Sequence, residues 1–135
     1  MTTENQTKLF HDSLKRCQDT PLFFEKFYAR FLSQSVEIQR KFEGVDMARQ
    51  IRMLKASLNM VMLASQPGID PEFYLGSVAK RHSSGDLDIA PPLYDLWLNA
   101  LMQTVEEMDP KFSKEVHQAW LGIMSTGIQY MRCCY

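Results

Sequence analysis

Long apolar runs are missing from this sequence. The longest, LNMVMLAS at residues 58–65, is far too short to span a bilayer. An excess of one charge is missing too: fifteen basic and sixteen acidic residues leave a net charge of −1. With the basic residues scattered, no electrostatic case for nucleic acid or an anionic membrane surface stands. Cysteine is scarce, and three residues with two of them adjacent do not read as a disulfide framework. A reducing cytoplasm is the expected setting. The opening MTTENQTKLF lacks the charged-then-apolar form of a signal peptide, in keeping with that expectation. No glycine-rich phosphate loop and no Gly-x-Ser-x-Gly turn occurs. Zinc ligation fails because Cys133 and Cys134 are adjacent, with no second pair and no histidine couple at helical spacing. The carboxylate pair Glu106-Glu107 points in two directions on a helix and reads as solvated. The aromatics sit at core spacing, not interleaved with cations.

What is present is helical punctuation. The 135 residues suit one domain, 1–135, with a proper core. Thr20-Pro21, Asp70-Pro71 and Asp109-Pro110 each set a capping side chain before a proline at the first helical position. They predict six long helices and one short turn: 4–17, 21–34, the turn SVEIQRKF, 46–65, 71–82, from Pro91 or Pro92 to 107, and 110–132. Phe23, Phe24, Phe27, Tyr28, Phe31 and Leu32 make a stripe too broad for a surface helix, which implies burial on two sides. No segment alternates like a half-buried strand, so the expected class is all-α. Nine methionines and eight phenylalanines give a soft core, either plain gap-filling or one able to mould itself around an irregular object. Cys133-Cys134-Tyr135 reads as a fraying tail.

Three histidines occur, and His11 and His117 lie among polar neighbours. His82 follows Val78 by four and Leu75 by seven, so it points toward the core. Two readings stay open at this point. One is a boundary histidine satisfied by a backbone carbonyl; the other is a metal ligand. Without other ligand clusters the metal would have to bring its remaining ligands, as haem does with its four porphyrin nitrogens.

Two stretches resemble the globins, bacterial ones in particular, and the likeness runs over nearly the whole chain. In FYARFLSQSVEIQRKFEG, residues 27–44, Tyr28 and Phe42 fall on the second-helix tyrosine and the corner phenylalanine of that family. RHSSGDLDIAPPLYDLWLNAL, residues 81–101, is similar to the Arg-His to Asp-x-Trp-Leu run of group II truncated haemoglobins. The resemblance implies a globin fold around haem b, with helices stacked two-over-two or three-over-three. It implies His82 as proximal iron ligand, with Phe42, Phe27 and Val78 against the group and Arg81 and Lys80 at its propionates. On the distal side it implies Tyr28, Gln50, Leu54 and Trp97, with Ile51 or Arg52 as the alternatives to Gln50. Arg49 and Arg52 are further candidates for the propionates. The implied activity is reversible binding of dioxygen or another diatomic gas, for storage or transport. Alternatives are nitric oxide dioxygenation with a separate reductase, gas or redox sensing, and a haem-free globin module. The expected protein is cytoplasmic, a monomer or weak homodimer, without nucleic-acid or membrane partners.

Overall fold

The computed structural model of the chain describes residues 4–135 and shows, among them, seven α-helices and no strand. The all-α expectation holds. None of these helices is long and apolar enough to cross a membrane. Helix α1 (Glu4–Asp19) buries Phe10, Ser13, Leu14 and Cys17, spaced by threes and fours. Helix α2 (Phe23–Leu32) buries Phe23, Phe24, Phe27, Tyr28 and Phe31, so its broad stripe is covered on two sides as expected. The short α3 (Val36–Lys41) starts where the Ser35 hydroxyl accepts from the Ile38 N–H at 3.1 Å. Asp46 caps α4 (Met47–Ala64) by accepting from the Ala48 and Arg49 amides. Asp70 caps α5 (Pro71–His82) through the Glu72 amide, with Pro71 supplying the first position without an orphaned donor. Helix α6 (Pro92–Met108) leads to α7 (Lys114–Cys133).

Two predicted starts are displaced: α2 begins at Phe23 rather than residue 21, and α7 at Lys114 rather than residue 110, although Asp109 also accepts from the Lys111 amide. The Thr20 hydroxyl donates back to the Arg16 carbonyl at 2.8 Å and closes α1, so it does not open α2. The chain then needs Leu22 at φ 68°, and α2 begins at Phe23. Asp109 likewise fails to open the last helix. Its buried carboxylate is taken by α1: Arg16 donates to both oxygens at 2.7 and 2.9 Å and Ser13 donates at 2.5 Å. The Trp120 indole completes the knot by donating to Ser13 at 2.9 Å, and Ser113 is left to cap α7. Glu106 and Glu107 are exposed, as read from the sequence, and Glu107 also accepts from Arg30 at 2.5 Å and Lys26 at 3.4 Å across to α2. The tail does not fray: Tyr135 is bonded to Ser84 and Asp88.

Helix α1 lies along α7 and α2 along α6, while α4 packs on both α5 and α7. At the α4–α7 crossing Gly127 faces Val61, and a Cβ there would come within 2.9 Å of a Val61 methyl. The backbones approach that closely because position 127 has no side chain. One continuous cluster fills the centre, with Trp120, Phe10, Phe23, Phe27, Leu58 and Leu101 fully buried.

Candidate functional site

Helix α5 ends in the one histidine that the sequence aims inward. The His82 Nδ1 lies 2.7 Å from the Val78 carbonyl oxygen, one turn back. A carbonyl only accepts, so Nδ1 carries the proton and the neutral ring keeps its lone pair on Nε2. Burial pushes the His82 pKa down; the Val78 carbonyl and Asp86 act against this, and Arg81 adds to it. The net shift favours the neutral imidazole, the form that ligates a metal. The ring is half-buried.

The second part of the site grows from α2. Tyr28 is buried, and the side chain of Gln50 on α4 lies close enough to act on its phenol. Burial raises the Tyr28 pKa to about 12 while the Gln50 amide pulls it the other way, as a donor to the phenol oxygen does. The hydroxyl therefore stays a neutral donor throughout the physiological range. Aromatic rings surround it. Phe27 lies 4.9 Å from Tyr28 between ring centroids, Phe42 lies 5.9 Å from Tyr28, and the Trp97 indole stands edge-on to Phe27 at 6.1 Å. Leu54 is buried in the same cluster. Phe42, Met47, Ile51, Ile89, Leu96 and Trp97 pack against that cluster while remaining half-buried.

The structure thus joins Tyr28, Gln50, Phe27, Phe42, Trp97 and Leu54 around one aromatic wall. Ile51 packs beside them, while Arg52 and Arg49 are exposed. Val78 is tied to His82 by the ring hydrogen bond. Lys80 and Arg81 are exposed, and neither has a carboxylate partner among the described residues. His11 is exposed as expected, and His117 is half-buried against the edge of Phe112.

Sequence reasoning missed how the loop after His82 is held. Ile89 donates to the His82 carbonyl at 3.0 Å, and Lys41 of α3 donates to the Leu87 carbonyl at 3.2 Å. No local pattern marks the second pair, whose members lie 46 positions apart in the chain.

Among the described residues no group of three histidine, cysteine or acidic side chains is placed to hold a bare metal ion. A single neutral imidazole with its outer nitrogen fixed fits a metal that arrives with its own ligands. The half-buried apolar wall is the second feature of the site. The fold is consistent with haem binding.

Comparison with protein-family models and with curated protein sequences found no match. Among solved structures, the chain matches the crystal structure of a protein from Pseudomonas aeruginosa PAO1, described as structurally highly homologous to a human haemoglobin. The two are 34% identical with a TM-score of 0.92, and the match covers 97% of this chain and 98% of that one. The helix order, the packing and this match together show that the chain belongs to the globin family.

Proposed function

We propose that this globin binds haem b through His82 and reversibly holds a diatomic gas, dioxygen first, beside the Tyr28–Gln50 pair. The observation that carries the reading is the His82 ring, neutral and pinned through Nδ1 to Val78. When bound, the haem supplies an iron with four porphyrin nitrogens and a free position for the gas. His82 Nε2 would hold that iron from the α5 side. Phe42, Phe27 and Val78 would cover the porphyrin faces and keep water out. Lys80 and Arg81, exposed and without carboxylate partners, would meet the propionates.

On the other side the chain offers hydrogen-bond donors inside an apolar wall. A buried phenol needs a partner, and the Tyr28 hydroxyl, with the Gln50 side chain acting on it, would donate to a gas ligand. The Trp97 N–H would be a further donor. Residues 81–101 support a group II-like proximal segment. Against that, the sixteen-residue α1 packed along α7 and the haemoglobin-like match support full-length, three-over-three stacking.

The test is the rate of dioxygen release from the haemin-loaded, reduced chain. Tyr28→Phe is expected to speed release by about tenfold, the equivalent of one hydrogen bond of about 1.4 kcal/mol. Gas entry should change much less. A release rate equal to wild type would defeat the distal assignment, and sustained nitrate formation with an added reductase would move the reading to nitric oxide dioxygenation.

A further inference from the structure

Helix α5 ends at His82 with carbonyls that need donors, and the loop after it supplies them. The Ser83 amide and hydroxyl both donate to the Lys80 carbonyl, at 3.2 and 2.6 Å. The Leu87 amide donates to the Arg81 carbonyl and the Ile89 amide to the His82 carbonyl, each at 3.0 Å. Residues 83–89 are therefore a cap wrapped over the turn that carries the His82 ring. A left-handed glycine directly after the helix would be the common device, but Ser83 is extended, at φ −67° and ψ 166°. The left-handed residue comes later, at Asp88 with φ 54°. That conformation is unfavourable for a residue other than glycine and persists only where its surroundings hold it.

A large part of the hold comes from beyond α7. The Cys134 amide donates to the Met131 carbonyl at 3.2 Å and the Tyr135 amide to the Arg132 carbonyl at 3.3 Å, which turns Tyr135 onto the cap. The Tyr135 main-chain oxygen accepts from the amide and the hydroxyl of Ser84, at 3.1 and 2.9 Å. The Tyr135 phenol donates to the Asp88 carboxylate. These three bonds grip the cap near both of its ends. Arg132 anchors the gripping segment on Asp95 of α6 at 2.9 Å.

We propose that Tyr135 is a positioning residue for His82: by gripping Ser84 and Asp88 it keeps the cap closed on α5, and so keeps the His82 ring aligned on Val78. Without the grip Asp88 relaxes out of its left-handed conformation. The Leu87 and Ile89 amides then leave the Arg81 and His82 carbonyls, and the last turn of α5 frays. The 2.7 Å bond from His82 Nδ1 to the Val78 oxygen joins residues four apart, so it lasts only while that turn is helical. A weaker bond at Nδ1 makes Nε2 a poorer donor to a metal. This last consequence rests on the haem reading; the hold on the turn does not.

The test compares the whole purified chain, with and without haemin, as wild type, as the double variant Ser84→Ala with Tyr135→Phe, and as Asp88→Asn. Backbone hydrogen exchange reads residues 84–89, and nitrogen shifts of the His82 ring read its tautomer in the haemin-free chain. Resonance Raman reads the iron–imidazole stretch of the reduced, haem-loaded chain. In the double variant, exchange of residues 84–89 should rise by about tenfold while α1 stays as in wild type. His82 should pass from the Nδ1–H form to a mixture of tautomers, and the stretch should move to lower frequency. Asp88→Asn keeps an acceptor for the phenol and tolerates the left-handed backbone, so it should match wild type in all three readings. Unchanged exchange in the double variant would overturn the grip. Faster exchange with an unchanged tautomer or an unmoved stretch would overturn the positioning role. A wild type that takes up no haemin would defeat the haem reading alone, because the two haemin-free readings still decide this proposal.

Discussion

Replacing Asp109 by asparagine is expected to cost about 2 kcal/mol at neutral pH, the worth of a buried hydrogen bond to a charged group. Burial pushes the Asp109 carboxyl up, but the bonds from Arg16, Ser13 and the Lys111 amide outweigh it and hold the pKa below the ordinary range. A carboxyl depressed in the folded state adds stability that is full above the unfolded value, about 4. That stability is lost as pH falls through the lower folded value. Denaturant midpoints of wild type and Asp109→Asn should therefore lie apart at neutral pH and converge in acid, as pH falls through the lowered folded value. A gap as wide in acid as at pH 7 would contradict this. The residue scale also marks what could be read locally. His82 and Val78 are four apart on one helix, so their hydrogen bond follows from periodicity. Tyr28 was singled out as a phenol within a phenylalanine stripe, and the structure buries it there among Phe27 and Phe42. Asp109 misled because its partners Ser13 and Arg16 lie more than ninety positions away. The same residue types that cap helices also end buried ion pairs.

At the scale of elements, caps with only local partners predicted their helices well. Asp46, Asp70 and Ser35 lie just before α4, α5 and α3 and accept from first-turn amides. Thr20-Pro21 failed because the threonine bonded backward to Arg16, and Leu22 took a left-handed turn that normally falls to glycine or asparagine. Helix contacts were less legible. Gly127 sits inside α7, where glycine is disfavoured by about 1 kcal/mol relative to alanine. Its reason is the α4 helix against it. Gly127→Ala is therefore expected to destabilise the fold by about 1–3 kcal/mol despite better helix propensity, because Val61 must move. A thermal or denaturant melt decides the matter: a gain in stability would mean that the α4–α7 crossing relaxes freely.

For the whole molecule, the sequence carried the helical class and the globin fold, since these rest on periodicity and on two contiguous stretches. It did not carry the clamps that join distant parts, Lys41 to Leu87 and Tyr135 to Ser84 and Asp88, because such pairs leave no local pattern. These clamps enclose the loop behind His82 from two sides. With the loop behind it so held, His82 is prepared to present one imidazole nitrogen, and everything proposed about gas binding depends on that nitrogen. The direct measurement is the absorption spectrum of the haemin-loaded chain in ferric, ferrous and carbonmonoxy forms, wild type against His82→Ala. Wild type should take up haemin with a sharp band in all three forms; the variant should lose the normal five-coordinate ferrous spectrum and regain it with added imidazole. A His82→Ala protein with an unchanged ferrous spectrum and no imidazole present would contradict the account.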